Sequence, residues 1–196
     1  MQGERDLDIR FAPVDRSTWP DLERCMERRG GPHYCWCMLW RPMPSKDRGD
    51  KAKKKAALMS LVDQGTPVGL LGYVEDEPVA WCSVGPRPSL RRLGDGDLDD
   101  ERIWSIVCFF VHRQRRGRGL TSRLIEAAVD YAKSNGATIV EAYPVDRDAT
   151  SYRFMGFVDR FERAGFVDLG QRGTRRHSMR VAIREQPKIP AKGATI

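Results

Sequence analysis

Long hydrophobic runs are missing from this 196-residue sequence. No apolar stretch approaches the ~18–20 residues needed to cross a bilayer as a helix, so no membrane span is expected. The opening Met1-Gln2-Gly3-Glu4-Arg5-Asp6 carries both signs of charge and no apolar core, which argues against a secretory signal. Cysteine is sparse and odd in number, five in all, so reduced thiols in a cytoplasmic protein are expected rather than a disulfide framework. Two phosphate-binding signatures are absent as well. No Gly-x-x-x-x-Gly-Lys-Ser/Thr occurs, which excludes a P-loop NTPase. The Gly-x-Gly at Gly117 and Gly119 is followed by Ser122 where a dinucleotide-binding turn needs a third glycine. Internal repeats and any break in composition that would mark a second domain are also lacking.

What is present suits one folded domain over residues 1–184, with a flexible tail over 185–196. Hydrophobic residues make up 40% of the chain, including 5 Trp, 5 Tyr and 7 Phe, enough for a single core. Lysine and arginine exceed aspartate and glutamate by 34 to 27, a net +7 spread through the sequence. That balance accepts an anionic ligand, a coenzyme or a nucleic acid, without being a polycationic tail.

Periodicity places the elements. Alternation predicts a strand over 7–11, and Ser17-Thr18-Trp19-Pro20-Asp21 is a helix start that runs to Gly30-Gly31. A second helix is expected over 50–64, with Ala57, Leu58, Leu61 and Val62 inward and Gly65 capping it. Strands over 68–74 and 79–84 are joined by the polar turn Glu75-Asp76-Glu77-Pro78. The stretch 87–102 is a loop; its Asp95, Asp97, Asp99 and Asp100 lack the glycine an EF-hand requires at its sixth position, so a solvated acidic loop is expected. The apolar run over 103–111 predicts a strand buried on both faces. A helix follows over 120–134, then a strand over 138–145, a short helix over 158–164 and strands over 166–169 and 177–183.

The chemistry concentrates where the buried strand meets the long helix. Phe109-Phe110-Val111-His112 leads through Arg113-Gln114-Arg115-Arg116-Gly117-Arg118-Gly119 into Leu120-Thr121-Ser122. The first turn of a helix offers amides with no internal partner, and its dipole favours negative charge. Glycines let the backbone approach a ligand closely, and arginines beside them add charge. Together they predict a pyrophosphate site.

Residues 111–122 resemble motif A of the GNAT acyltransferase superfamily, Gln/Arg-x-x-Gly-x-Gly/Ala, with Thr121 where glycine or alanine is usual. The order of elements from about 7 to 184 is similar to that family's, and Phe161-Glu162-Arg163-Ala164-Gly165-Phe166 resembles its later segment. The resemblance implies a mixed α/β fold, a central twisted mixed sheet flanked by helices. It also implies acetyl-CoA as acyl donor; no metal is expected, since neither the acidic loop nor the cysteines have a metal-binding spacing. By the same resemblance, Phe109, Phe110 and Val111 would pair with the pantetheine arm, and a strand amide near Phe109 would face the thioester carbonyl. Arg116, Gly117, Arg118, Gly119, Leu120, Thr121 and Ser122 would hold the pyrophosphate.

Direct transfer needs an uncharged amine, and a lysine-like amine is neutral in only about one molecule in 2,500 at pH 7. Glu141, on the strand after the motif, is the leading base, with Glu101 second. The family's usual tyrosine acid falls on Phe161, which cannot donate a proton, so Tyr152 and Tyr143 are its substitutes. The aromatic segment His33-Tyr34-Cys35-Trp36-Cys37-Met38-Leu39-Trp40-Arg41 would wall the acceptor site through Tyr34, Trp36 and Trp40. Its Cys-x-Cys lacks zinc spacing, and no local signature marks a Cys–His hydrolase. The function expected is acetyl-CoA-dependent N-acetylation of a primary amine on a small molecule, an antibiotic-like compound or a peptide, with a homodimer as the candidate assembly. A coenzyme-binding module without turnover, or a basic nucleic-acid binder, are the alternatives.

Overall fold

A computed structural model describes residues 8–91, 93 and 102–183. Glu101, the acidic loop at 95–100 and the tail at 185–196 lie outside them. In chain order the elements are β1 (Arg10–Pro13), α1 (Trp19–Glu27), α2 (Lys51–Asp63), β2 (Leu70–Val74), β3 (Glu77–Pro86), β4 (Ile103–Val111), α3 (Leu120–Ser134), β5 (Ile139–Ala142), α4 (Val158–Arg163), β6 (Val167–Arg172) and β7 (Arg176–Ala182). The strands form one seven-stranded sheet in the order β1-β2-β3-β4-β5-β7-β6. Only β4 and β5 run parallel; every other neighbouring pair is antiparallel.

Local chemistry accounts for the boundaries. Asp50 caps α2, its Oδ1 accepting from the amides of Ala52 at 2.8 Å and Lys53 at 3.2 Å. Helix α1 buries Leu22, Cys25 and Met26 at helical spacing. Helix α3 spans the predicted residues and buries Leu120, Leu124, Ile125, Ala128 and Ala132. The turn after β2 is tighter than expected. Glu75 and Asp76, at φ 51° and 60°, form the whole loop, so Glu77 and Pro78 already pair with Val74 and Tyr73. Strand β1 is displaced from the predicted 7–11, because its register is set by pairing Arg10–Pro13 against β2.

The sheet carries a core on each face. Helices α3 and α4 cover a cluster that includes Ile106, Val140, Phe161 and Met179. On the other face α1, α2 and the aromatic segment enclose Trp19, Trp36, Leu58 and Trp81. Among the described residues no helix is long and apolar enough to cross a membrane.

Candidate active site

The site begins where the sheet comes apart. Strand β4 pairs with β3 from Trp104 to Val111, but with β5 only from Ile103 to Ile106. Opposite β3 the register slips: Ser83 faces Cys108 and Val84 faces Ile106, leaving Val107 as the extra residue of a bulge. Beyond that point β5 stops at Ala142, short of the predicted end at 145, and Val145 instead bridges to Phe157 and Arg176. The second half of β4 therefore presents a strand edge to open space. A cleft of about 820 Å³ fills the gap, floored by Cys108, Phe109, Phe110 and Val111.

The loop between β4 and α3 forms one wall. Gly117 and Gly119 adopt φ of +79° and +72°, a left-handed backbone that side chains with a Cβ avoid. A Cβ on either would meet nothing within 4 Å, so backbone conformation, not crowding by the protein, calls for glycine there. Internal bonding of α3 begins with the amides of Ser122 at 3.0 Å and Arg123 at 3.3 Å, both on the Gly119 carbonyl. The amides of Leu120 and Thr121 precede them and are left for an anion. Arg116 ties the loop to the strand, its Nε donating to the Val111 carbonyl at 2.9 Å. Arg160 of α4 donates to the Ser122 hydroxyl at 3.1 Å and also lines the cleft, a contributor the sequence did not flag.

The aromatic segment forms the opposite wall, and it divides. Tyr34, 67% exposed, and Trp40 line the cleft, but Trp36 is only 2% exposed. Trp36 stacks on Trp19 with ring centres 5.8 Å apart, so its expected place in the acceptor wall is corrected to the core. The division follows from the backbone: Trp36 and Cys37 both lie at positive φ, 48° and 47°, turning successive side chains out of any regular alternation. Cys37, Cys35, Lys54, Arg153 and Phe154 complete this side. Gly156, at φ +90°, lets the late loop approach Phe109 and Phe161; a Cβ there would lie 2.9 Å from the Phe161 ring.

The expected base and one expected acid are held elsewhere. Glu141 is 1% exposed, and its Oε1 accepts from Arg87 Nη1 at 2.8 Å and from Arg180 Nε at 2.7 Å. Tyr143 donates its hydroxyl proton to Glu141 Oε2 at 2.7 Å. Burial, then the Glu141 charge, pushes the Tyr143 phenol above its usual range, making it a weaker acid. Neither residue lines the cleft. A carboxylate so fully engaged is a structural anchor joining β5, β7 and the loop after β3, not a base for an acceptor. Tyr152 stands outside the lining but on its rim, 37% exposed, its ring 6.3 Å from Trp40 and 6.1 Å from Phe154. Phe161 is fully buried against Phe166 and Phe109. Among the described residues no group of three or more His, Cys, Asp or Glu is placed to hold a metal ion.

The model for the Acetyltransferase (GNAT) family matches residues 20–157. The chain belongs to that family. Solved structures similar to this acetyltransferase include the aminoglycoside acetyltransferase AAC(6')-Ib in complex with coenzyme A. It is 16% identical, with 89% of this chain and 95% of that one covered and a TM-score of 0.58. The yncA protein of Salmonella typhimurium, a putative acetyltransferase with acetyl-CoA, is 16% identical over 94% of this chain and 99% of that one, with a TM-score of 0.57. The paia N-acetyltransferase of Thermoplasma acidophilum in complex with coenzyme A is 9% identical over 90% and 100%, with a TM-score of 0.55. Identities this low establish a shared fold. No curated protein matches the sequence of this GNAT acetyltransferase.

Proposed function

We propose that this GNAT acetyltransferase takes the acetyl group of acetyl-CoA and passes it directly to a primary amine of a small molecule or peptide. The observation that carries this reading is the coincidence, in one cleft, of a free strand edge at Phe109–Val111 with the amide-rich start of α3. An extended pantetheine arm adds to the strand edge through its amide groups, and the pyrophosphate lies on the amides from Gly117 to Thr121, with Arg116 and Arg118 beside it. Coenzyme complexes of AAC(6')-Ib and the Thermoplasma protein support the same donor. An amide near Phe109, aimed at the thioester oxygen, stabilises the tetrahedral intermediate.

The amine approaches from the side of Tyr34 and Trp40. With Glu141 committed to Arg87 and Arg180, its proton passes to water, and Tyr152 at the rim returns one to the departing thiolate. Without a dedicated base, kcat/KM rises about tenfold per pH unit until the amine's own pKa is reached. The deciding experiment is titration calorimetry of acetyl-CoA with the wild type and Gly119→Val, followed by mass-spectrometric screening of amines for acetylation. A β-branched residue at φ +72° both strains the loop and fills the approach to the phosphates, so affinity should fall at least tenfold. Unchanged affinity would remove the phosphate-loop reading. Coenzyme binding without any acetylated amine would favour a module that binds but does not turn over.

A further inference from the structure

The sulfurs of the cleft form a group that transfer to an amine does not use. Cys37 Sγ lies 3.4 Å from Cys108 Sγ, bringing the aromatic segment and β4 together across 71 residues of sequence. The indole Nε1 of Trp81 stands 2.9 Å from the same Cys37 sulfur. An indole N–H can only donate, so Trp81 stabilises electron density on this sulfur, while the two thiols are within hydrogen-bond reach of each other. Nearby, Arg41 is fully buried, and its guanidinium donates to the Val68 carbonyl at 2.8 Å and, at longer range, to the hydroxyls of Ser83 and Ser89. Its Nε has no partner, and no carboxylate is paired with it among the described residues. A buried cation without a carboxylate is costly, and its charge favours the thiolate form of Cys37. Hydrogen bonding from Cys108, with that from Trp81 and the charge of Arg41, holds the Cys37 thiol below its usual range despite burial. Desolvation instead raises Cys35, and burial pushes Cys25 up to about 12.

We propose that Cys37 and Cys108 are a peroxide-oxidisable dithiol built into the wall of the acyl-transfer cleft, with Cys37 the reacting thiolate and Cys108 the resolving thiol. The Cys37 thiolate attacks one oxygen of a hydroperoxide. A sulfur–oxygen bond forms and the oxygen–oxygen bond breaks. The sulfur gives up two electrons, and with one proton the products are a sulfenic acid and water, or an alcohol from an organic peroxide. Cys108 sulfur then attacks Cys37 sulfur, the sulfur–oxygen bond breaks, and a second water leaves with the Cys108 proton. Cys108 is raised chiefly by its hydrogen bond to Cys37, with burial and the Cys37 charge adding to it. Conversion of Cys37 to a neutral sulfenic acid removes that charge and frees Cys108 to react. The bridge draws the two sulfurs to about 2.05 Å and pins the acceptor wall to β4 beside Phe109.

The test treats the full chain with one equivalent of hydrogen peroxide, blocks remaining thiols with iodoacetamide and maps the peptides by mass spectrometry. The expected product is a Cys37–Cys108 cross-link, reversed by a reducing thiol and kept in Cys35→Ser. In Cys108→Ser the cross-link should be lost, and a dimedone adduct should collect on Cys37. The proposal is overturned if five free thiols remain after peroxide, if the bridge joins Cys35, or if the Cys108→Ser adduct falls on another cysteine. None of these readouts requires that acetyl transfer be measured.

Discussion

The two walls of the cleft are built on different principles. On one side a single stretch between Phe109 and Thr121 lines the cleft, and what it offers is mostly backbone amides set by two left-handed glycines and a helix start. The opposite wall is made of side chains, gathered from the aromatic segment, α2 and the loop before α4. Backbone amides are the same whatever residue carries them, so the first wall suits a constant ligand. Side chains can be exchanged one at a time, so the second suits a ligand that differs between members of one fold. The neighbouring sulfurs of Cys37 and Cys108 lie at the seam between these two constructions.

The sharpest break in this comparison is at Glu141, which by its position after the motif could have belonged to the reacting side. As the anchor of Arg87 and Arg180, Glu141→Gln should cost about 3–5 kcal/mol, because it removes the buried carboxylate charge on which both guanidinium groups converge. Urea denaturation measures this; a variant of normal stability with a collapsed kcat would restore Glu141 as a base. Within the aromatic wall, Trp36→Ala should cost about 3–5 kcal/mol as a large core truncation. Trp40→Ala should leave stability within about 1 kcal/mol and raise the acceptor KM while acetyl-CoA affinity holds. Equal destabilisation by both would mean that the wall is simply core.

At Tyr152, replacement by Phe should lower kcat about a hundredfold with acetyl-CoA affinity intact, the scale of a lost general acid. Near-full activity would assign thiolate protonation to water. The smallest effect concerns His177, whose ring bonds Asp168 at 2.7 Å and Asp146 at 3.1 Å. Burial pulls its pKa down, but the two carboxylates outweigh that and raise it. Its contribution to stability is therefore complete below the unfolded value of ~6.5 and fades as pH rises through the higher folded value. His177→Ala should flatten that segment of the stability–pH curve; an unchanged slope between pH 6 and 8 would exclude the linkage.

The strand, the glycine turn and the helix start of the first wall were legible in the sequence because each is local. A buried strand, glycines at 117 and 119, and a helix opening at Leu120 follow one another without interruption, and α3 has the predicted bounds. The acceptor wall was legible only as a region. Its aromatic residues sit within a few positions of each other, yet Tyr34 and Trp40 face the cleft while Trp36 does not. Two consecutive left-handed residues decide this, and neither is a glycine or asparagine that would announce the turn. Glu141 and Tyr143 looked reactive because the strand carrying them follows the motif. Their partners Arg87 and Arg180 come from distant segments, and nothing near residue 141 signals them. Arg160 and Cys108 went unflagged for the same reason.

By itself the sequence determined the order of the elements, the burial of β4, the amide-rich turn into α3 and hence an anionic coenzyme, because periodicity, glycine and helix starts act through neighbours along the chain. The tertiary structure alone decided which acidic and aromatic side chains reach the cleft. Parting β4 from β5 at Ile106 and turning the chain at Trp36 and Cys37 bring together or separate groups dozens of residues apart, and their charge, burial and access are properties of those encounters.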